Sequence, residues 1–305
     1  MSGGACVIVN PASGRGRGSR ALPAVRQAFA AVGITDIRVT EAPGDERRLA
    51  ACALEEGCST IVAAGGDGTW SNVANAILTA GADCRLGLLA LGTGNDFAKT
   101  VGAPARDPVA TARLVAGDDT HEMRVDVGCI EERYFLNIAG FGLDIAVLED
   151  IARITWLRGD ALYLYAALRH LFTYPGMEID VGTRGAARGA SPHLLLIVAN
   201  AKHFGGSFRI APHASLTDGQ LDAIAIGHVP PMRRLALFGA ATRGTHVTRP
   251  EVCAQQAPSF VLRFPTPPAY ETDGEYRQAR TNELEVRCVP AALRVITPAA
   301  GAPPA

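Results

Sequence analysis

Three glycine-rich turns, each directly after a short apolar run, constrain this 305-residue chain more than any other feature. "ACVIVN" (5–10) leads into "NPASGRGRG" (10–18), "STIVAA" (59–64) into "GGDGT" (65–69), and "RLGLLAL" (85–91) into "GTGNDF" (92–97). Each run is aliphatic or β-branched and short, as a buried strand is. "ITDIRVT" (34–40) reads as a further strand. Segments with helical spacing lie between them: 19–32, with Leu22, Val25, Phe29 and Val32 on one face, then 45–56, 69–78, 95–101 and 106–116. Such alternation predicts a doubly wound parallel sheet covered by helices. Ligands of such sheets bind beyond the carboxyl ends of the strands, which is where the three turns fall.

Amides exposed at helix starts attract anions, and phosphate is the obvious guest. The pattern GxxxxGK[ST] is absent, and no complete GxGxxG follows a strand. Turn-making alone would also use glycine, but three such loops at one sheet edge favour phosphate. Asp67 and Asp96 sit among these glycines, and Asp126 follows in "RVDVG". Carboxylates beside a polyphosphate make sense if Mg²⁺ and its waters lie between them. Helix capping by Asp67 and Asn95–Asp96 is the alternative. It explains each acid singly and not the set.

From about residue 119 the sequence turns strand-rich. "HEMRVDVGCI" and "RYFLNIAGFG" read as paired strands around Glu131–Glu132, followed by helices at 143–153 and 160–172. "GMEIDVG", "SPHLLLIVANA", "GQLDAIAIG", "SFVLRF", "ELEVRCV" and "ALRVIT" (292–297) then predict a β-sandwich. Residues 182–190 form a small-residue loop expected to be mobile, and the tail 298–305 is expected to fray. The 160–172 helix places Ala161, Leu164, Leu168 and Leu171 on one face, with Leu162, Tyr163 and Tyr165 extending it. A packed core helix is the plain reading. The functional one is a wall for an acyl chain, with Trp156, Leu157, Arg153 and Arg158 close by and the arginines meeting lipid headgroups. "ASLTDGQLD" (214–222) offers Ser215, Asp218 and the main chain near Gln220 to a hard cation, although spacing alone favours a plain Asp-Gly turn. "YETDGEYR" (270–277) sets Asp273 and Glu275 around one glycine. That is a hairpin turn, or a general base with a supporting acid, as a neutral hydroxyl needs before it attacks phosphorus.

Composition excludes several classes. With 48% hydrophobic and 19% charged residues the chain is globular, and a net charge of -1 gives no basic field for nucleic acid. The start lacks a basic signal-peptide region. The longest apolar stretches, near 194–199 and 235–241, fall well short of the roughly 18 residues of a membrane span. The seven cysteines are odd in number and contain no CxxC, so they read as buried thiols in a reducing cytoplasm and not as a zinc site or disulfide framework. The seven histidines have no metal-ligand spacing.

The combination of "NPASGRG" (10–16), "GGDGT" (65–69), "LGTGNDFA" (91–98), "FLNIAGFG" (135–142), "SLTDGQL" (215–221) and "TDGE" (272–275) resembles the bacterial soluble diacylglycerol kinase and lipid kinase family, related to sphingosine kinases. "GGDGT" alone is shared with NAD kinases and phosphofructokinases. The resemblance implies a nucleotide-binding domain of that type over 1–125 with 290–305, a β-sandwich lipid domain over 126–289, and an active site in the cleft between them. ATP would be lined by Asn10, Pro11, Ser13 and Gly14, by Thr40, by Gly65, Gly66, Asp67, Gly68, Thr69 and Asn72, and by Thr93, Asn95 and Asp96. Asp67, Asp96 and Asp126 would organise catalytic Mg²⁺ through water, and Ser215, Asp218 and the Gln220 carbonyl would hold a structural Mg²⁺, overturning the turn-only preference. Glu275 would be the base and Asp273 its neighbour. Diacylglycerol, a sphingoid base, a glycerophospholipid such as phosphatidylglycerol, or another long-chain alcohol each fits as acceptor. A soluble-alcohol or NAD kinase and a non-catalytic nucleotide or lipid sensor are the rivals. A cytoplasmic protein that touches membranes transiently is expected, and homodimerisation is left open. The family usually continues after "GGDGT" with a small apolar residue and Asn-Glu. Here Trp70, Ser71 and Asn72 stand instead, which puts the contacts at that helix start in question.

Overall fold

The computed structural model describes residues 4–117, 121–154, 160–183 and 189–299. They divide into two compact units, Met1–Val127 with Pro290–Ala305, and Gly128–Val289.

The first unit runs β1 (Ala5–Val9), α1 (Ser13–Ala30), β2 (Asp36–Val39), α2 (Asp45–Glu55), β3 (Thr60–Gly65), α3 (Asp67–Thr79), β4 (Arg85–Ala90), α4 (Asp96–Val101), α5 (Pro108–Ala116) and the start of β5 (His121–Ile130). The sheet order is β2-β1-β3-β4, all parallel, and the end of the chain's last strand adds beside β4 with Arg294 opposite Arg85. The central strands β1, β3 and β4 are buried and largely apolar, while the edge strand β2 is half-buried and carries Asp36 and Arg38. Val7, Val9, Val62, Ala64, Leu89 and Leu91 alternate onto the face that receives Val25, Phe29, Ala112 and Val115. The first helix differs from expectation. Its assigned span begins at Ser13, but Gly14, Arg15 and Gly16 have φ of 57°, 60° and 80°, so the glycine turn is a left-handed kink before the helix proper.

The second unit continues with β6 (Arg133–Phe135), β7 (Ile138–Gly142), α6 (Leu143–Arg153), α7 (Asp160–Thr173), β8 (Met177–Gly182), β9 (Ser191–Ala199), β10 (Leu221–Gly227), α8 (Pro231–Arg243), β11 (Val252–Ala257), β12 (Ser259–Arg263), β13 (Ala269–Thr272), β14 (Glu275–Gln278) and β15 (Glu283–Thr297). Its pairings are antiparallel: β14-β13-β7-β9, β9-β10-β11, and β9-β8-β12-β15. Phe135, Phe141, Leu196, Val198, Phe260, Leu262 and Val286 fill the core. The expected α/β plus β-sandwich class holds.

Two elements, α8 and β11, went unread, and β13 and β14 were read only as the flanks of a turn. The apolar stretch 235–241 belongs to α8, whose start carries proline and whose end meets Gly244 at φ 73°. β11 is too polar, and β13 and β14 too short, for periodicity to find. "ELEVRCV" and "ALRVIT" form one strand, β15, with Ala291 at φ 48° inside it. On α7, Leu168 is 40% exposed while Leu162, Ala166, Ala167 and Leu171 are buried. The packed face is therefore rotated from the expected one, because Ala167 and Leu171 line a cavity. Trp156, Leu157, Arg158, the 184–188 part of the small-residue loop and the 300–305 part of the tail lie outside the described residues, as do the side chains of Ala161, Tyr163 and Leu164. Among the described residues, no helix is long and apolar enough to cross a membrane.

Candidate active site

In the first unit the three turns pack backbone against backbone at the carboxyl edge of the sheet. Leu91 and Gly92 N–H groups both donate to Gly65 O (2.7 and 3.0 Å). A Cβ at Gly92 would stand 2.6 Å from Gly66 Cα, and one at Gly66 would stand 3.0 Å from Gly92 Cα. Gly65 has no room for a side chain beside Thr69, and Gly14 none beside Leu91 O. These four glycines have internal reasons. Gly68 has none. It lies inside α3, its backbone is not left-handed, and a Cβ there would meet nothing within 4 Å. Arg17 ties the first turn to the third by donating to Leu91 O (2.9 Å) and Gly92 O (2.7 Å).

Asn10, immediately after β1, donates to Glu46 Oε1 (2.9 Å) and Thr69 Oγ1 (3.1 Å). Glu46 is 3% exposed and was not singled out by sequence, because it sits on an ordinary amphipathic helix. Pro11 and Ser13 lie in the first turn, where Pro11 O accepts from Ser19 N–H (3.0 Å). Thr40 is buried at the end of β2, its N–H on Val9 O (3.0 Å). Asn72 is buried one turn into α3, Thr93 is exposed on the third turn, and Asn95 donates to Gly92 O (3.1 Å) from a left-handed backbone (φ 54°).

The acids tie separate segments together. Neither α3 nor α4 has a side-chain cap from its own N-terminal residue. Asp67 Oδ1 instead accepts from Phe97 N–H (3.0 Å), so the second turn braces the helix that follows the third. Asp96 pairs with Lys99 (3.1 Å). Asp126 Oδ1 accepts from Ala291 N–H (2.7 Å), fastening the returning strand. Among the described residues, the one group of three metal-type side chains with ligand atoms within 4.8 Å of each other is Cys6, Asp36 and Cys58, at the other edge of the sheet. There Asp36 is already engaged by Arg38 (2.7 Å), and burial pushes the Cys6 thiol up. Asp67, Asp96 and Asp126 therefore do not form a ready-made direct cage, which leaves waters to complete any ion they hold.

In the second unit, β13 and β14 form a hairpin in which Thr272 pairs with Glu275 across Asp273 and Gly274, at φ 51° and 87°. Two successive positive φ values are what a tight two-residue hairpin needs. The Asp273 carboxylate accepts from the N–H groups of Leu136 (2.8 Å), Asn137 (2.8 Å) and Ile138 (3.2 Å). The turn reading and the functional reading of "TDGE" thus coexist: Asp273 seats the hairpin on "FLNI". Glu275 Oε2 accepts from Arg133 Nη2 (2.9 Å) and Arg277 Nη2 (2.8 Å). Arg133 is 5% exposed and gave no sequence signal, since nothing in "EERYF" marks an inward arginine. Ser215, Asp218 and Gln220 share one turn. Asp218 Oδ1 accepts from Gln220 N–H (3.1 Å) and Oδ2 from Gln256 (2.9 Å). Asp222 next to it is pushed up to about 6 by burial and by Asp218.

A cavity of about 90 Å³ lies wholly within the second unit, with Leu143, Val147, Leu171, Phe204, Phe208, Leu237 and Phe238 among its walls; among the described residues only Asp144 and Arg234 of its lining are ionisable.

Residues 4–130 match the family model described as diacylglycerol kinase catalytic domain, and residues 137–297 match the one described as YegS C-terminal NAD kinase beta sandwich-like domain. The chain belongs to the diacylglycerol kinase family. A diacylglycerol kinase of Mycobacterium tuberculosis is 31% identical over 96% of this chain and 95% of its own length. A probable lipid kinase YegS-like of Pseudomonas putida is 36% identical over 62% of this chain and 63% of its own. The kinase fold also matches the crystal structure of a putative diacylglycerol kinase from Bacillus anthracis, with TM-score 0.77 and 20% identity over 98% of both chains.

Proposed function

We propose that this kinase transfers the γ-phosphoryl group of ATP to the hydroxyl of a long-chain lipid, with diacylglycerol as the leading acceptor. The observation that carries the lipid reading is the cavity. A soluble alcohol or NAD needs no pocket walled by aliphatic and aromatic side chains, whereas an acyl chain suits one. ATP is assigned to the glycine edge of the first unit, where Gly68 keeps open a space that the fold itself does not require. Phosphates there meet main-chain amides at the start of α3.

Asp67, Asp96 and Asp126 are the residues that would hold Mg²⁺, a hard cation that suits carboxylates and water. When bound, such an ion neutralises the charge that grows on the transferred phosphoryl group. Ser215, Asp218 and the Gln220 carbonyl are assigned a second, structural ion. Asp222, raised by burial and by Asp218, adds a second carboxylate beside the turn.

Glu275 takes the proton of the lipid hydroxyl, which then attacks phosphorus. Arg133 and Arg277 fix its carboxylate, and Asp273 fixes the hairpin that presents it. On α7, Tyr165, Leu168 and Phe172 are 41%, 40% and 48% exposed. Their spacing of three and four makes an outward apolar stripe on the helix whose inner side lines the cavity. We assign it to transient contact with a membrane surface, beside the exposed Arg169.

The test is transfer of labelled phosphate from ATP to a total lipid extract, with NAD in a parallel arm and the product identified by mass. A phosphorylated lipid that disappears in Glu275→Ala is expected. Phosphorylated NAD, or ATP binding without transfer to any lipid, would sink the reading.

A further inference from the structure

Three side chains at the amino ends of the first unit's strands have no part in the chemistry above. Cys6 of β1, Asp36 of β2 and Cys58, just before β3, place their sulfur and carboxylate oxygen atoms within 4.8 Å of one another. Local structure brings them there. Cys6 is opposite Asp36 in the parallel ladder, so their side chains leave the same face of the sheet. Val7 and Val9 alternate onto the face that receives α1 and α5, which leaves Cys6 on the other one. Gly57, at φ 87°, turns the chain back at the end of α2, with Cys58 N–H on Ala53 O (2.9 Å) and Ser59 N–H on Gly4 O (2.9 Å). A Cβ at Gly4, two residues before Cys6, would lie 4.0 Å from Cys58 Sγ. Cys58 therefore overhangs the start of β1.

The surroundings suit a cation. Cys6 is buried, whereas Cys58 and Asp36 are half-buried and give the group an open side. Arg38, on the same face of β2, holds Asp36 Oδ2 through Nε (3.1 Å) and Nη2 (2.7 Å) and also reaches Glu56 Oε2 (2.6 Å). A carboxylate has about four acceptor sites, so Asp36 can keep Arg38 and still bind an ion. Carboxylates that hold metals ordinarily carry such an outer partner. The C-terminal end of α2, negative by its aligned peptide dipoles, comes just before Cys58. Cys84 is a contrasting case: it is 2% exposed with Sγ near its neighbour's carbonyl, Arg85 O (3.7 Å), as a thiol that only fills space can be.

We propose that Cys6, Cys58 and Asp36 form a binding site for a thiophilic divalent ion, zinc above all, with water in the fourth position. Two sulfurs and one carboxylate favour zinc over magnesium, which keeps to oxygen ligands. Tetrahedral zinc holds sulfur at about 2.3 Å and oxygen at about 2.0–2.2 Å, which sets neighbouring ligand atoms roughly 3.5–3.8 Å apart. From a spread of at most 4.8 Å, the group has to close by no more than about 1 Å. Binding breaks two S–H bonds, sends both protons to solvent and forms two S–Zn bonds. Burial pushes the Cys6 thiol up, so it stays protonated in the empty site until the ion displaces the proton. The bound ion ties β1, β2 and the turn after α2 together at the end of the strands away from the glycine edge. No CxxC marks the site, because each ligand comes from a different segment. It does not depend on the kinase reading.

The experiment is titration of the full chain, reduced by a phosphine and freed of metal by a chelator, with Co²⁺ as the absorbing stand-in and then with Zn²⁺. Co²⁺ should bind with thiolate-to-cobalt charge-transfer absorption, and Zn²⁺ should displace it. Cys58→Ser should lose that absorption. Asp36→Asn should weaken Co²⁺ binding by at least the roughly 10–100-fold that losing even an outer partner brings. Cys253→Ser, exposed on β11, should match the wild type. In the wild type, Zn²⁺ should protect Cys58 from iodoacetamide while Cys253 stays reactive, as mapped by mass. That readout keeps the test valid if a variant does not fold. Absence of thiolate absorption, absorption that survives in Cys58→Ser, or equal alkylation of Cys58 with and without Zn²⁺ overturns the site and leaves the lipid reading intact.

Discussion

The glycine edge of the first unit and the β13–β14 hairpin of the second handle polar groups in opposite ways. At the edge, Gly66 and Gly92 touch through their backbones, and side chains are kept out. On the hairpin, side chains carry everything: Asp273 takes three amides, Glu275 takes two guanidiniums, and Glu271 takes another carboxyl. Substitutions at the edge should therefore act through space, and substitutions on the hairpin through charge.

The largest expected effect is on the hairpin. Glu275→Ala should lower kcat by about 10²–10⁴-fold, the range for losing a positioned base. Glu275 is one-third exposed, so unfolding by urea should shift little. A variant that keeps near-normal turnover would remove Glu275 from the chemistry. Asp273→Ala should do the reverse in emphasis. It strands three main-chain N–H groups that are buried in the fold, each worth about 1–3 kcal/mol when left without an acceptor. A large fall in the urea midpoint is expected. An unchanged midpoint would mean that the seat on "FLNI" is not held by this carboxylate.

At the glycine edge, Gly92→Ala forces a Cβ to 2.6 Å from Gly66 Cα, a backbone atom that cannot swing aside. Overpacking of this kind should destabilise by about 1–3 kcal/mol. Gly68→Ala should separate stability from binding. Alanine is better than glycine inside a helix by up to about 1 kcal/mol, and the added methyl has open space. The variant should melt no lower than the wild type while the KM for ATP rises several-fold. A stable variant with unchanged KM would show that no nucleotide approaches there.

The edge was legible in the sequence because its signals are local. An apolar run followed by glycine fixes a strand, a turn and a helix start within ten residues, and parallel order follows from alternation. Asp273 and Glu275 were also legible, since a two-residue Asp-Gly turn announces itself. Their partners were not. Arg133 reaches Glu275 across 142 positions, and Asp144 meets Glu271 through a glycine on a third segment. Tertiary packing makes those contacts, and no spacing along the chain records them. The partner of Asp67 was hidden for the same reason: the amide it accepts from, Phe97 in the first turn of α4, is 30 residues away.

The smallest expected effect divides the two glutamates of one hairpin by pH. Glu275 lies beside two arginines, while Glu271 is pushed up by burial and by the acid it faces. In the unfolded chain Asp144 and Glu271 release their protons near pH 4. In the folded chain burial raises both, Asp144 to about 7 and Glu271 well above the ordinary carboxylate range. The folded state thus binds more protons across this window, so stability must fall as pH rises through it, by up to about 1.4 kcal/mol per unit. Glu271→Gln removes the retained proton and should flatten the slope, leaving the variant as stable as the wild type near pH 5 and more stable at pH 8. Parallel stability curves for Glu271→Gln and the wild type would mean that the buried pair does not hold its proton, and the contrast between the two glutamates would disappear.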